Sequence, residues 1–114
     1  MDIKRGNIVL VNLDSVKGSE QDKTRPALII QNNIGNQYSP TTIVAPITST
    51  TFSKEFPTNV FLPAKASGLD KDSTILLNQI RTIDKSRIIK KLSKADVVIM
   101  NKVDLAIKVS LSLE

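Results

Sequence analysis

The sequence predicts a mainly β domain with a C-terminal helix, built as a strongly bent antiparallel sheet or small barrel of five to seven strands, with short helices between them. Two features indicate this fold. Short runs of β-branched residues alternate with turn-forming residues as far as Leu92, and an amphipathic stretch with helical spacing follows them. The chain has 114 residues, of which 40% are apolar, so we expect one domain over residues 1–114 with one core.

The first two strands are predicted over residues 5–13 and 26–31. A polar loop of eleven residues, 14–24, joins them, and loops of this length in small domains are often functional. Pro26 lacks a backbone N–H and fits the start of a strand, so Arg25 stands at the entrance of the second strand. Alternation separates two faces within each strand, with Ile8 and Leu10 apart from Val9 and Val11, and Leu28 and Ile30 apart from Arg25, Ala27 and Ile29.

A third strand is predicted over residues 41–49, after a loop with room for a short helical turn. Its internal Pro46 indicates an edge strand or a bulge, because proline cannot donate to a sheet ladder. A fourth strand is predicted over residues 58–62. One helical turn follows over residues 63–69, closed by Gly68.

The longest strand is predicted over residues 73–84, and a last strand over residues 87–92 pairs back through a turn. Asn78, Gln79 and Arg81 interrupt the apolar pattern of the longer strand. Polar residues in the middle of a strand are unusual for pure core, so these three are candidates for a functional site.

The C-terminal helix is predicted to begin after Ser93, a good N-cap, with Asp96 bonding back in a capping box. Apolar residues recur at helical spacing along it, and further apolar residues broaden the stripe. We expect the stripe to pack on the sheet, and its breadth leaves room for contact with a partner subunit. The stripe consists of Ile99, Val103, Ala106 and Ile107, broadened by Val98, Leu105, Val109 and Leu113.

Histidine and cysteine are both absent from the sequence. Their absence excludes Ser–His and Cys–His nucleophile pairs, disulfides and most zinc sites. No nucleotide-binding loop of the G-x-x-x-x-G-K-[ST] or G-x-G-x-x-G type is present, and the carboxylates are scattered without metal-ligand spacing. We therefore expect a protein that uses neither a metal nor a cofactor.

The chain carries 16 basic and 11 acidic residues, a formal charge of +5 that suits a polyanionic partner. No apolar run approaches the ~20 residues that span a membrane, and the N-terminus does not resemble a signal peptide. We expect no membrane association and a cytoplasmic location. One basic run fits either a solvated face or a binding groove, and it consists of Lys85, Arg87, Lys90, Lys91 and Lys94.

Polar residues gather at the predicted strand ends and in the loops. An arginine fork suits phosphate, a threonine hydroxyl can donate to a phosphoryl oxygen, and amides can read the edges of unpaired bases. These groups fit one reaction especially well, in which the 2′-hydroxyl of RNA attacks its own neighbouring phosphate. The set comprises Glu20, Gln21, Arg25, Asn32, Thr48, Ser49, Asn78, Gln79 and Arg81.

Arg25 also has a plainer interpretation, as a residue at a strand entrance paired with Glu20 or Asp22. A threonine such as Thr48 is common in strands for reasons of packing alone. Free arginine is a poor proton acceptor, because its pKa lies above ~12. The residues therefore leave three acceptors open for the proton of the 2′-hydroxyl: Arg25 itself, Glu20 or a water molecule.

Several short motifs follow one another in a fixed order along the chain. They are Lys4-Arg5-Gly6, Gly18-Ser19-Glu20-Gln21, Arg25-Pro26, Ile30-Gln31-Asn32, Gly35-Asn36, Ser39-Pro40-Thr41, Ala45-Pro46-Ile47-Thr48-Ser49 and Gln79-Ile80-Arg81-Thr82-Ile83-Asp84-Lys85. In this order they closely resemble the MazF/PemK-type toxins of toxin–antitoxin systems, over essentially the whole chain. One departure is Asp22-Lys23, where many members of that family carry glycines in the loop that gates the site.

The resemblance implies an SH3-like barrel with a C-terminal helix that works as a homodimer. It implies metal-independent cleavage of single-stranded RNA at a short sequence, leaving a 2′,3′-cyclic phosphate and a 5′-hydroxyl. Arg25 then corresponds to the main catalytic residue, acting as acid and base, and Thr48 to a group that stabilises the transition state. The implied protein partner is an antitoxin with an acidic, flexible C-terminal tail. We expect the RNA-binding residues to be Ser19, Glu20, Gln21, Asn32, Ser49, Asn78, Gln79 and Arg81.

Two rival functions come from other classes of protein. Toxins of similar fold that poison gyrase by binding it depend on a tryptophan near the C-terminus, and this chain has no tryptophan. A non-catalytic RNA-binding barrel would need stacking aromatic residues. The aromatic residues of the chain are few, namely Tyr38, Phe52, Phe56 and Phe61.

Overall fold

The computed structural model describes residues 1–13, 24–52, 54 and 56–114. Within these residues the chain forms seven strands, three α-helices and one 3-10 helix. In chain order they are β1 (Asn7–Asn12), β2 (Thr24–Ile29), α1 (Asn33–Tyr38), β3 (Thr41–Thr48), β4 (Asn59–Leu62), α2 (Ala64–Ser67), β5 (Ser73–Leu76), β6 (Arg81–Asp84), the 3-10 helix (Lys85–Arg87), β7 (Ile88–Lys94) and α3 (Val97–Ser110). The predicted helical turns are present as α1 and α2, and Gly68 closes α2 in the left-handed conformation that favours glycine (φ 74°).

The paired strands are all antiparallel and follow the order β4-β5-β3-β2-β1-β7. β6 also lies beside β3, at the end of β3 opposite to β5. In the described part of the chain the outer strands β4 and β7 do not pair with each other, so the sheet does not close. The prediction of a mainly β fold with a strongly bent antiparallel sheet and a C-terminal helix is confirmed, at the upper end of the predicted strand number.

The sheet is apolar on both faces, as alternation predicts. One face packs under α3, which contributes Ile99, Val103 and Ala106 to the same buried cluster. The other face packs against Ile3 of the N-terminal segment. The first cluster includes Ile8, Leu28, Ile30, Ala45 and Ile47, and the second includes Val9, Val11, Ala27, Ile29 and Val44. The residues predicted to broaden the α3 stripe are more than half exposed, namely Val98, Leu105, Val109 and Leu113.

The prediction of a single long strand over residues 73–84 is wrong, because the chain forms two strands there, β5 and β6, separated by a turn. In that turn the backbone N–H of Gln79 donates to the carbonyl oxygen of the last residue of β5 at 3.2 Å. β5 pairs with the end of β3, at Ile47 and Thr48, whereas β6 pairs with its beginning. The interrupting residues Asn78 and Gln79 therefore lie in the turn that carries the chain from one end of β3 to the other.

Pro46 does not mark an edge strand, because β3 has neighbours on both sides. On one side Pro46 lies opposite Ala27 of β2. On the other side β5 pairs with β3 up to Ile75, opposite Ile47, and β6 begins opposite Val44, so Pro46 lies in the gap between these two partners. Such a gap in a ladder tolerates a residue without an N–H.

The predicted cap of the C-terminal helix is also wrong. β7 continues through Lys94, and the N-cap of α3 is Asp96, whose Oδ1 accepts from the backbone N–H of Ile99 at 2.9 Å. Ser93 lies in β7 and donates its hydroxyl to the carbonyl oxygen of Ser67 in α2. The capping pattern in the sequence therefore predicted the start of the helix to within a few residues but assigned the N-cap to the wrong residue, because the hydroxyl of Ser93 bonds to α2 instead.

Candidate active site

Arg25 and Thr48 lie on neighbouring strands and line the same pocket. β2 and β3 pair in antiparallel register with Ala27 opposite Pro46. The same register continued by two residues places Arg25 opposite Thr48, on one face of the sheet. Both residues line a pocket of about 540 Å³ at this end of the strands. Two residues that are distant in sequence are thus brought together by the register of β2 and β3.

The Thr48 hydroxyl is arranged as a hydrogen-bond donor to the pocket. Its Oγ1 accepts a hydrogen bond from the backbone N–H of Thr50 at 3.2 Å. The carbonyl oxygen of Thr50 accepts in turn from the hydroxyl of Thr74 at 2.9 Å, and Thr74 is 4% exposed. Because the N–H of Thr50 occupies a lone pair of Oγ1, the hydroxyl proton of Thr48 is left for a ligand.

In the described part of the chain, the guanidinium of Arg25 is available to bind an anion. Its side chain is exposed at the start of β2. Among the residues that the structure describes, no carboxylate or carbonyl oxygen accepts from this guanidinium. The ion pair found among the described residues is elsewhere, between Arg5 and Asp104. The alternative partners considered for Arg25, Glu20 and Asp22, lie outside the described residues.

The loop between α2 and β5 adds a cation and a carboxylate to the pocket, Lys71 and Asp70. Sequence reasoning missed both. The loop is fixed from two sides, because Asp72 Oδ1 accepts from the N–H of Ala64 at 2.8 Å and the Ser73 hydroxyl donates to the carbonyl oxygen of Lys71 at 3.0 Å. The available signal was a polar run between a helical turn and a strand, which is typical of any surface loop.

The other predicted RNA-binding residues are distributed unevenly. Ser19, Glu20 and Gln21 lie outside the described residues. Ser49 lines the pocket beside Thr48. Asn78 and Gln79 are exposed in the turn between β5 and β6 and are not part of the pocket lining.

Asn32 and Arg81 lie away from the pocket. Asn32 lies just after β2, seven residues from Arg25, which is about 23 Å along an extended chain. It caps α1, with its Oδ1 accepting from a backbone N–H at 2.7 Å. Arg81 is paired with β3 four residues before Thr48, about 13 Å along the strand. One copy of the chain therefore does not bring these two residues to Arg25.

Several side chains of the basic run over residues 85–94 form hydrogen bonds within the protein. Three of its residues donate to backbone carbonyl oxygens, Lys85 to Asn36, Arg87 to Asn12 and Lys91 to Asp2. Asp84, next to this run, caps the 3-10 helix. The backbone N–H and the hydroxyl of Ser86 hold the pKa of Asp84 below its usual value, and the charge of Arg87 lowers the pKa further. These contacts serve local structure outside the pocket.

The pocket presents cationic and hydroxyl groups, which together suit a phosphate. In residues 1–13, 24–52, 54 and 56–114, no group of three or more histidine, cysteine, aspartate or glutamate side chains is placed to hold a metal ion. No helix in this part of the chain is long and apolar enough to cross a membrane.

An antiparallel sheet that places an arginine, a lysine and a threonine hydroxyl around one pocket defines a small β protein with a candidate site for phosphate groups. The sequence comparison makes this class specific. The chain belongs to the family of PemK-like, MazF-like toxins of type II toxin–antitoxin systems, whose family model matches residues 4–111.

Individual relatives agree with this assignment. The chain is 50% identical over 113 residues to endoribonuclease EndoA of Bacillus subtilis, covering 99% of this chain and 97% of that protein. It superposes with a TM-score of 0.83 on the toxin in a crystal structure of MazE-MazF from Deinococcus radiodurans, at 26% identity over 100% of this chain and 99% of that one. An endoribonuclease from a mycobacterial species shares the fold, with a TM-score of 0.81 at 22% identity over 99% of this chain and 94% of that one.

Proposed function

We propose that this toxin is an endoribonuclease that cleaves single-stranded RNA at a short sequence without a metal ion, acting on messenger RNA in the cytoplasm. The observation that carries the proposal is the placement of Arg25 and Thr48 around one pocket. The substrate class is supported by the relative from Bacillus subtilis, which is an endoribonuclease and is half identical to this chain.

In the proposed reaction the 2′-oxygen of the RNA attacks the neighbouring phosphorus and the bond from phosphorus to the 5′-oxygen breaks. A 2′,3′-cyclic phosphate forms, and the departing 5′-oxygen takes up a proton to become a hydroxyl. The phosphoryl oxygens carry more negative charge in the transition state than in the substrate, so donors aimed at them accelerate the reaction. Arg25 supplies a planar fork of N–H donors, and Thr48 supplies a hydroxyl.

The proton of the 2′-hydroxyl needs an acceptor. Arg25, Glu20 and water are the acceptors that the sequence leaves open, and Asp70 adds a carboxylate at the wall of the pocket. A guanidinium stays protonated at neutral pH, so it is a weak acceptor and a strong electrostatic donor. We therefore assign Arg25 the stabilisation of charge on the phosphate.

We also propose that the toxin works as a homodimer. Asn32 and Arg81 lie about 13–23 Å along the strands from the catalytic pair, outside the pocket of their own copy, and a second copy would place another set of these residues along the RNA. The exposed apolar side chains of α3, such as Leu105 and Val109, are candidates for the contact between copies.

The proposed protein partner is an antitoxin whose acidic C-terminal tail occupies the site. The toxin from Deinococcus radiodurans has been crystallised with MazE. Here, the pocket offers Arg25 and Lys71, and the chain carries a net charge of +5. Acidic side chains compete with phosphates for such a surface, so one site serves substrate and inhibitor.

The decisive experiment is the sequencing of 5′-hydroxyl ends in RNA cut by the purified protein. We expect cuts at one short sequence, unchanged by EDTA, and loss of cutting in Arg25→Ala with the fold intact by circular dichroism. Arg25→Lys keeps the charge but loses the fork, so it should be strongly impaired too. Arg87→Ala, an arginine outside the pocket, is the matched control. Full activity of Arg25→Ala, or loss of activity with EDTA, would contradict the mechanism.

A further inference from the structure

Three of the four aromatic side chains lie together at the surface. Phe52, Phe56 and Phe61 are 45%, 47% and 53% exposed. The rings of Phe52 and Phe56 meet edge to face, with centroids 6.0 Å apart and an angle of 87°. Aromatic residues usually bury themselves, so an exposed cluster of phenylalanines indicates a surface that binds something.

The register of the sheet relates this cluster to the catalytic pair. Thr48 of β3 lies opposite Thr74 of β5, and Thr74 lies opposite Phe61 of β4. Residues directly opposite in an antiparallel ladder share a face, so the three form one row across the sheet. Two inter-strand spacings separate Thr48 from Phe61, a distance of about 10 Å. The aromatic cluster is therefore close to Thr48, where the proposed function places the scissile phosphate.

The pocket among these rings suits a nucleobase. Its volume is about 150 Å³, and Lys54, Asn59 and Thr74 line it beside the three phenylalanines. A cavity of roughly this volume holds one benzene molecule in other proteins, so there is room for an aromatic ring. In the described part of the chain the side-chain amide of Asn59 has no hydrogen-bond partner, which leaves it for a base edge. The ammonium of Lys54 can meet a phosphate.

We propose that Phe52, Phe56 and Phe61 form a stacking subsite for one unpaired base of the RNA, close to the scissile phosphate. This inference rests on the proposed RNA cleavage and adds a determinant of sequence preference to it. Stacking on an aromatic ring is possible for every base, and Asn59 supplies the polar contact that can distinguish one base from another.

Phe56 and Phe61 also border a groove of about 570 Å³ against α3, together with Leu105 and Val109. That groove would suit an apolar segment of a protein. The polar groups of the smaller pocket favour RNA, because an apolar protein segment would leave the Asn59 amide and the Lys54 ammonium without a partner. The experiment below separates the two occupants.

The test uses the full chain and an RNA that carries its cleavage sequence with a 2′-O-methyl group at the scissile position, so that binding occurs without cutting. An abasic nucleotide is moved along this RNA one position at a time, and affinity is measured by fluorescence anisotropy. With the unmodified protein, loss of the stacked base should weaken binding about 5- to 150-fold at one position. Phe61→Leu keeps an apolar side chain but has no ring. In this variant, the abasic nucleotide at the same position should cause little further loss of affinity.

Phe61→Trp should restore the penalty at that position, and Tyr38→Ala, which removes an exposed aromatic residue on α1, should leave the whole profile unchanged. Thermal unfolding verifies that each variant folds. An abasic profile that is the same in Phe61→Leu as in the unmodified protein would refute the subsite, and so would a loss confined to antitoxin binding. If the unmodified protein neither binds nor cuts RNA, the proposed function itself fails, which is a separate result.

Discussion

Thr48 allows a test that separates catalysis from stability. Thr48→Val replaces the hydroxyl by a methyl group and keeps the β-branched shape that suits a strand. Thr48→Ser keeps the hydroxyl and loses the methyl group. If the hydroxyl donates to a phosphoryl oxygen in the transition state, the serine variant should retain most of its activity and the valine variant should lose it.

The expected sizes of the two effects differ widely. One transition-state donor contributes about 10²–10³ in kcat, or about 2.7–4 kcal/mol. In the free protein, Thr48→Val removes the acceptor of the Thr50 N–H at 3.2 Å, and Thr50 is exposed, so water can replace that acceptor. Such a hydrogen bond contributes about 0.5 kcal/mol, the lower end of the usual range. For a domain of this length we expect Tm to fall by no more than about 4 °C.

The assay is single-turnover cleavage of an RNA that contains the recognition sequence, with protein concentration varied so that the maximal rate is separated from affinity. Thermal unfolding by circular dichroism gives Tm for each variant. The reasoning is refuted if Thr48→Val and Thr48→Ser cleave at the same rate. It is also refuted if the valine variant loses activity only in proportion to the fraction that unfolds.

Two further changes test the pocket and the fold. Lys71→Ala should weaken RNA binding about 10- to 150-fold, the effect of one lost charge-assisted hydrogen bond, and should reduce the slope of log K against log salt concentration by about 0.7. Lys65→Ala, on α2 outside the pocket, should change neither, and an unchanged slope in Lys71→Ala would remove this lysine from the RNA path. Arg5→Ala should lower the urea midpoint more than Asp104→Ala, because Arg5 donates both to Asp104 at 2.7 Å and to the carbonyl oxygen of Ile30 at 2.8 Å. We expect losses of about 1–2 kcal/mol and less than about 1 kcal/mol respectively, and equal midpoints would contradict this order.

The sequence predicted the parts of the fold that depend on local pattern. Alternation assigned the two faces of β1 and β2, because side chains in any strand point to opposite sides. The break between β5 and β6 was missed because its cause is not local. β3 has a different partner at each end, and only the pairing of the whole sheet shows that residues 73–84 must divide into two strands. Pro46 was misassigned for the same reason, since the gap beside it is created by two other strands.

The candidate site divides in a similar way. Arg25 and Thr48 could be selected from residue chemistry and family resemblance, but their placement in one pocket depends on the register of β2 and β3. Lys71 lies in an irregular loop, where no periodicity indicates which way a side chain points. The phenylalanines were counted as too few for a stacking surface. A count cannot show that three of them converge, and that convergence depends on the pairing of β4 with β5.

Thr74 connects the proposed catalytic and base-binding halves of the site. It pairs with Thr48 on one side and with Phe61 on the other, and its hydroxyl holds the carbonyl oxygen of Thr50. Thr48 stands on β3, which has a neighbour on each side, whereas Phe61 stands on β4 at the edge of the described sheet. A side chain on an edge strand has fewer neighbours to accommodate it, so Phe61 can change without moving the catalytic hydroxyl. Substitution of Phe61 should therefore weaken RNA binding and change which sequence is preferred, whereas Thr48→Val should lower the maximal cleavage rate without changing the preferred sequence.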